Sequence, residues 1–346
     1  MNQPTTLQRP RGVTDRVCSV SLALAQRSAA LTFSDLPADV RTRVRQGLLD
    51  WAASALAGAQ EPLTRMLAEE AREQGGHGQA TVVGHGFATS TRQAALVNGT
   101  AAHALGHGET NEAFSARPAL TLVAALLALA EARGASGKAF MAAFVAGHET
   151  LCCVGAAVAP GRAARGLKGS GSIGAIGAAA ACAHLLQLGT EDTAVALGIA
   201  ATEAGGWKSM FGSQCLPMHA GKASSDGLLA AQLAARGFAS HADATRPMPG
   251  AAAAQRFDFD AEAALAAPAH GFHIRAHLFN GEVARDAESP ELAARHARLE
   301  SKFLRLAGPR LDAESCDEVL NLIARLETLP DLSPLAGLLS ARPIQP

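Results

Sequence analysis

Two short stretches of this chain, 98–110 and 165–174, combine glycines with side chains that can carry a proton. Imidazole, carboxylate and amine groups act as general acids or bases when their surroundings bring their pKa near the working pH. On that ground the candidate catalytic residues are Lys168, His107 and Glu109. Lys168 would serve as a base only if burial or nearby cations lowered its pKa strongly, and otherwise it would be an electrostatic anchor.

A second set of side chains could bind the oxygens of an anionic group. Arg117 can do so with two parallel N–H bonds, Lys208 as a compact charge, and His219 through a ring N–H. For any single member of either set, a solvated surface charge or a capped helix end is an equally simple interpretation.

The run from Gly169 to Gly174 matches the dinucleotide-binding pattern GxGxxG letter for letter, and Glu191 follows about 20 residues on. That pattern requires a strand immediately before it, whereas residues 162–168 are polar and glycine-containing. We therefore reject a dinucleotide site, and the sequence predicts no organic cofactor. The glycines are predicted to open a helix whose free N–H groups face an anion.

A metal site is also conceivable at the first stretch, because His103 and His107 lie four residues apart and Glu109 follows. Gly106 and Gly108 argue against a continuous helix there, and no fourth ligand is evident. We predict no metal.

Three further residues allow a chemical role but favour a simpler one. Cys215 and His219 could form a Cys/His pair, although closeness in sequence does not supply the geometry. His184 lies in an apolar helix, which indicates a hydrogen-bonded core histidine. Trp207 is interpreted as a packing residue, with a pocket wall as the alternative.

Composition limits the partners. The 346 residues carry a formal net charge of −1, which argues against nucleic-acid binding. The six cysteines lack zinc-type spacing and are expected to be buried thiols of a cytoplasmic protein. No run approaches the roughly 18 uninterrupted apolar residues of a membrane helix. Residues 17–30 resemble a signal peptide only faintly, since Gln26 and Arg27 interrupt them.

The elements that must position these residues are mostly helices. Val40, Val44 and Leu48 recur at intervals of four and predict a helix after Pro37. Further helices are predicted near 89–105, 119–133, 137–157, 172–188, 190–204 and 222–236, with Gly134 and Gly189 as helix stops. Strands are predicted at Thr81–Val83 and Ile274–Phe279, and final helices from Pro290 and through Val319–Leu326.

The predicted fold is all-α with a small, reduced α/β or irregular insert. The predicted division of the chain is an N-terminal segment 1–34, its first part disordered, a helical domain 35–245, a shortened remnant of a second domain 246–298, and C-terminal helices 299–346.

A series of motifs along residues 35–240 resembles the MmgE/PrpD family, which includes 2-methylcitrate dehydratase, cis-aconitate decarboxylase and iminodisuccinate epimerase. The motifs include Leu48-Leu49-Asp50-Trp51, Asn98-Gly99, Gly147-His148-Glu149 and His219-Ala220-Gly221-Lys222, and later Lys302-Phe303. The resemblance implies a helical enzyme that moves a proton on the carbon next to a carboxylate, with loss of water or carbon dioxide or with inversion. It also implies that His103, Thr110 and His219, which match the family, bind substrate.

The chain departs from the family where the chemistry would lie. The family's acid-rich stretch after His103 keeps only Glu109 and Thr110 here, and a histidine of the second motif becomes Lys168. A His-Pro pair becomes Arg117-Pro118, and the lysine three residues before His219 becomes Leu216. The family's second domain, which forms one side of its active site, is represented only by about 250–298.

These observations predict a divergent MmgE/PrpD-like lyase or isomerase, a homodimer, acting on a small anionic substrate that bears a carboxylate. One alternative is a non-catalytic relative that serves as a binding or assembly partner. Another is a repurposed enzyme with new chemistry on a less acidic substrate.

Overall fold

A computed structural model of the 346-residue chain describes residues 20–107, 117–162, 169–240, 260–268, 270–276, 278–279, 282–283 and 290–340. In this part of the chain the fold is mainly helical, with two small two-stranded sheets. The predicted fold class is confirmed.

Nine helices make up the first two thirds of the described chain. They are α1 Val20–Ala30, α2 Ala38–Gly58, α3 Pro62–Gln74, α4 Thr91–Ala104, α5 Pro118–Arg133, α6 Gly137–Arg162, α7 Gly169–Leu185, α8 Thr190–Glu203 and α9 Cys215–Ala234. Apolar residues at helical spacing drive these elements together, as in α2, where Val40, Val44 and Leu48 are all fully buried. Gly134 ends α5 in the left-handed conformation, as predicted.

The remaining elements are shorter or lie near the C-terminus. They are α10 Ala261–Leu265, α11 Pro290–Ala307, α12 Ala313–Ala324, α13 Ser333–Leu339 and the strands β1 Ala80–Val82, β2 Phe87–Thr89, β3 Leu278–Phe279 and β4 Glu282–Val283. β1 pairs antiparallel with β2, and β3 with β4. Helix α11 packs along α2, so the C-terminal helices return to the first helices of the fold.

Small residues let the central helices approach at backbone contact. A Cβ built at Gly221 of α9 would lie 2.1 Å from the Leu96 carbonyl oxygen of α4. One built at Gly227 would lie 2.5 Å from the Ala175 carbonyl oxygen of α7. Only glycine tolerates such distances, so α4, α9 and α7 form a tightly packed centre.

Three predicted boundaries are wrong. Helix α9 begins at Cys215 rather than near 222, because Pro217 falls in its first turn, where a missing N–H leaves no hydrogen bond unmade. Helix α7 ends at Leu185, and Gln187 rather than Gly189 takes the left-handed position, at φ 56°. Gly189 instead caps the start of α8.

The predicted strand over Ile274–Phe279 is also corrected. His273–Ala276 forms a 3-10 helix, and only Leu278–Phe279 is extended. The cause is Glu149 of α6, whose carboxylate accepts the N–H groups of His273 (2.8 Å) and Ile274 (3.0 Å). Two N–H groups bound to one carboxylate favour a turn over a strand.

The described part of the insert is held against the helices by further polar contacts. Arg275 binds both carboxylate oxygens of Asp39 in α2, each at 2.7 Å. Arg27 of α1 donates to the Leu265 carbonyl oxygen at 2.8 Å. The insert therefore docks on α1, α2 and α6. The predicted domain boundaries themselves stay predictions.

One stretch of α6, Gly137–Val158, is long and apolar enough to cross a membrane, but 83% of its most apolar window is buried inside the protein. A buried core helix has the same composition, so this stretch is weak evidence for a membrane span.

Candidate functional site

His103 and His219 come to the same end of the central helix pair. Helices α4 and α9 run antiparallel, since Gln232 Nε2 donates to Thr91 Oγ1 at 3.2 Å near one end and Gly221 touches α4 further along. This register brings His103, in the last turn of α4, level with His219, in the first turns of α9. Both histidines are buried, with 6% and 9% of the residue surface exposed.

The first turn of α7 lies against His219 at this end of the helix pair. A Cβ at Gly171 would lie 3.2 Å from His219 Cβ and 2.4 Å from the Gly205 carbonyl oxygen. A Cβ at Gly206 would lie 3.3 Å from His219 Nδ1. The glycines thus bring the first turn of α7 and the loop after α8 against the His219 ring.

The prediction that the glycine run opens a helix is confirmed, because α7 begins at Gly169. Its first N–H groups lack intrahelical partners, and its dipole favours an anion at this end. Ser170 lies in the same turn with 2% of its surface exposed, and its Oγ has no hydrogen-bond partner among the described atoms. The first turn of α7 therefore offers donors close to His219.

The segment after α4 leads from His103 to a group of charged residues. Gly106 turns the chain in the left-handed conformation at φ 72°, and its N–H donates to the His103 carbonyl oxygen at 3.1 Å. Arg117, the cap residue before α5, reaches this turn, since a Cβ at Gly106 would lie 3.9 Å from its Nη1. The turn brings Arg117 next to the His103–His107 segment.

A buried carboxylate lies behind this turn. Asp50 of α2 has only 1% of its side chain exposed, and Lys302 of α11 donates to its Oδ1. Lys302 also donates to the main-chain carbonyl oxygen of His107. The ion pair between α2 and α11 thus holds the main chain at the end of this turn.

Among the described residues, cations outnumber carboxylates around His107. Partial burial lowers the pKa of His107 below its usual range, and the charges of Lys302, Arg305 and Arg117 lower it further, against the opposing effect of Asp50. Burial likewise lowers the pKa of Arg117, which Asp50 partly counteracts. In the part of the chain that the structure describes, three cations and one carboxylate act on His107, an excess of positive charge that an anionic ligand would neutralise.

The structure thus brings some of the predicted site residues together. His103 and His219 share one end of the α4–α9 pair, and His107 lies with Arg117 around Asp50. Lys208 begins a 3-10 turn two residues after Gly206, and its side chain is not among those described. Lys168, Glu109 and Thr110 lie outside the described residues. All these roles stay predictions.

Sequence reasoning missed Asp50 and Lys302 as site residues. Both stood in motifs that indicate the family, but neither was given a chemical role. The sequence does carry a signal, because Asp50 is a lone acid in the apolar run Leu48-Leu49-Asp50-Trp51-Ala52. A buried carboxylate at such a position requires a cationic or hydrogen-bonding partner.

Other residues have simpler surroundings. Among the described residues, no group of three or more His, Cys, Asp or Glu could hold a metal ion. Cys215 is exposed at the start of α9. His184 Nε2–H donates a 2.8 Å hydrogen bond to the Leu31 carbonyl oxygen, as a core histidine would. The interpretation of Trp207 as a packing residue is wrong, because 61% of its surface is exposed.

Fold and site together define a helical protein with a histidine-containing, cation-rich site at the ends of α4 and α9. Residues 22–263 match the model of the MmgE/PrpD N-terminal domain. The chain belongs to the MmgE/PrpD family, which confirms the resemblance read from its motifs. Helices α11 to α13 lie outside the matched residues, so Lys302 comes from beyond that domain model.

A curated relative is the cis-aconitate decarboxylase-like protein oryM of Aspergillus oryzae (strain ATCC 42149 / RIB 40). It is 32% identical over 196 residues, which cover 54% of this chain and 41% of the relative. The chain therefore matches less than half the length of this relative.

Proposed function

We propose that the protein is a lyase or isomerase that moves a proton on the carbon next to a carboxylate of a small substrate. The observation that carries this proposal is the charge around His107 at the end of α4, where among the described residues Lys302, Arg305 and Arg117 act against one carboxylate, Asp50. A substrate carboxylate would neutralise that excess. The similarity to the Aspergillus cis-aconitate decarboxylase-like protein supports a carboxylate substrate.

The proposed roles follow from the charge of each group. Arg117 is partly buried and binds a carboxylate with parallel N–H bonds. His103 and His219, with the first turn of α7, hold a second anionic group. His107 accepts the proton, because a lowered pKa keeps its imidazole neutral and basic at neutral pH. Lys168 and Glu109 act with it, and Thr110 and Lys208 contribute substrate contacts, as the sequence predicts.

The reaction proposed first is a decarboxylation or dehydration, with epimerisation as the isomerase counterpart. A base removes the proton next to the carboxylate in dehydration and epimerisation, whereas decarboxylation breaks the bond to carbon dioxide and the resulting carbanion then takes up a proton. In each case negative charge develops on the carboxylate-bearing fragment. Fixed cations stabilise that charge more in the transition state than in the ground state. No organic cofactor is needed for this step.

The test is turnover of a panel of small di- and tricarboxylates, including cis-aconitate, followed by proton NMR. Arg117→Ala and Lys168→Ala are each expected to abolish turnover, at least a hundredfold, while leaving the folded state intact by circular dichroism. Arg133→Ala, at the exposed other end of α5, is the matched control and should keep wild-type activity. Full activity in both site variants would refute the proposed site.

A second candidate is a binding partner without catalysis. It is favoured by three large apolar side chains exposed just after Gly206, namely Trp207, Met210 and Phe211. Such a cluster is typical of interaction surfaces. This candidate predicts that no carboxylate of the panel is converted by the wild-type protein, although anions bind.

A further inference from the structure

The ion pair between Asp50 and Lys302 does more than join two helices. Lys302 has 16% of its side chain exposed and Asp50 has 1%, so both are largely removed from solvent. An ammonium group has three N–H donors, and here one goes to the carboxylate and another to the main-chain carbonyl oxygen of His107.

The hydrogen bond from Lys302 to the His107 carbonyl oxygen lies just after the end of α4. Helix α4 ends at Ala104, and Gly106 reverses the chain, so the His107 carbonyl has no helical partner. A cationic donor is about twice as strong as a neutral one and therefore fixes the backbone at this residue. The residue so fixed carries the imidazole whose pKa the charges of Lys302, Arg305 and Arg117 lower.

The charges around that imidazole come from three helices. Among the described residues they are Lys302 and Arg305 from α11, Arg117 from the start of α5 and Asp50 from α2. Lys302 also donates a hydrogen bond to the His107 main chain. Lys302 therefore acts on His107 both through a main-chain hydrogen bond and through its charge.

We propose that Lys302 is a positioning residue: anchored on Asp50, it fixes the main chain at His107 and so places the imidazole beside the carboxylate-binding Arg117. Lys302 does not itself touch the reacting atoms. The inference rests on the proposed function for its catalytic meaning, but its geometric part can be tested without any substrate.

The substrate-free test is the titration of the His107 imidazole by NMR in the full-length protein. Lys302→Met removes one of the cations that lower the pKa of His107, so that pKa is expected to rise toward its ordinary value of 6.5. Lys302→Gln is a milder variant in case the Met variant fails to fold, and the same direction is expected. Amide hydrogen exchange at Gly106 and His107 should become faster in both variants.

The matched control is Arg45→Met. Arg45 and Glu327 form an ion pair at 2.7 Å that also joins α2 to the C-terminal part of the chain, and the exposure of the Arg45 side chain (19%) is close to that of Lys302 (16%), although Glu327 is more exposed than Asp50. This variant breaks a comparable helix-to-helix contact without touching His107. It should leave the His107 titration and the exchange at Gly106 unchanged.

The kinetic arm uses the carboxylate that the wild-type protein converts. Lys302→Met is expected to lower kcat by about tenfold to a hundredfold with a smaller change in KM, because a displaced catalytic group affects the transition state more than substrate binding. The limb of the pH profile that reports the base should move to higher pH. Arg45→Met should keep both kcat and the pH profile.

The outcomes separate the two claims. If Lys302→Met and Lys302→Gln match Arg45→Met in His107 titration, amide exchange and kcat, the positioning role is overturned although the activity stands. If no carboxylate is converted but the His107 titration and exchange respond as expected, the proposed function fails and the positioning geometry stands.

Discussion

At the scale of single residues, burial decides which polar groups hold a charge. His148 of α6 is fully buried and stacked on Phe144, with ring centroids 6.2 Å apart. Burial lowers its pKa from 6.5 to about 3, and the nearby His273 adds to this effect. In the unfolded chain the same imidazole takes up a proton near its ordinary value. The folded protein therefore gains stability from His148 above pH 6.5 and loses it as the pH falls toward 3.

We expect the free energy of unfolding of the wild-type protein to fall by up to about 1.4 kcal/mol per pH unit between pH 6.5 and 4.5 from this group alone. His148→Gln removes this titrating group, so the free energy of unfolding of the variant should fall less steeply over the same pH range. Urea unfolding at several pH values measures the difference. His77→Gln, at an exposed position, should keep the wild-type slope, and equal slopes in all three proteins would contradict the argument.

At the scale of elements, glycine contacts between helices set the geometry of the site. Gly221 lets α9 touch α4, and the resulting antiparallel register brings His103 level with His219. A methyl group at Gly221 would lie 2.1 Å from the Leu96 carbonyl oxygen and 2.3 Å from Thr100 Oγ1. The two helices would have to separate, and the two imidazoles would move apart with them.

Gly221→Ala is therefore expected to destabilise the protein by about 2 kcal/mol or more, because overpacking displaces backbone rather than a flexible side chain. Gly337→Ala is the control, since nothing lies within 4 Å of its Cβ in α13. That change should stabilise the protein by about 0.5–1 kcal/mol through helix propensity. Denaturant midpoints that shift equally for both variants would show that the α4–α9 contact is looser than described.

At the scale of the whole molecule, the site depends on segments far apart in the chain. Asp50, His107 and Lys302 come from α2, the end of α4 and α11, and Lys302 lies beyond the matched N-terminal domain. The described part of the insert docks on α6 through Glu149, on α2 through Arg275 and on α1 through Arg27. The C-terminal helices thus contribute to the site as well as to the core.

The proposed homodimer also belongs to this scale. Light scattering coupled to size exclusion should give a mass of two copies of the 35.3 kDa chain across a wide range of protein concentrations. A mass of one copy at all concentrations would contradict the proposal. The exposed apolar cluster of Trp207, Met210 and Phe211 offers a site for Trp207→Ser, which tests whether this surface takes part.

Local signals predicted the helices well, and contacts between distant residues decided the rest. Helical spacing in α2 and the cap at Gly134 follow from neighbours in sequence, so they could be read directly. The turn at His273–Ala276 depends on Glu149, more than a hundred residues earlier, and no local pattern reports it. The pairing of Asp50 with Lys302 is equally non-local. The exposure of Trp207 was misjudged because hydrophobicity alone does not reveal which side chains lack a partner.

The central claim is that the cations at the end of α4 hold a carboxylate while a proton moves on the adjacent carbon. Deuterium incorporation next to the carboxylate, measured by NMR in D2O over the panel of small di- and tricarboxylates, tests it most directly. Epimerisation and the reversal of dehydration place a solvent deuterium at that carbon, and decarboxylation places one on the carbanion left after carbon dioxide departs. The account predicts incorporation into at least one member by the wild-type protein, loss of at least a hundredfold in Arg117→Ala, and no loss in Arg133→Ala. No incorporation into any member, or equal incorporation by all three proteins, would contradict it.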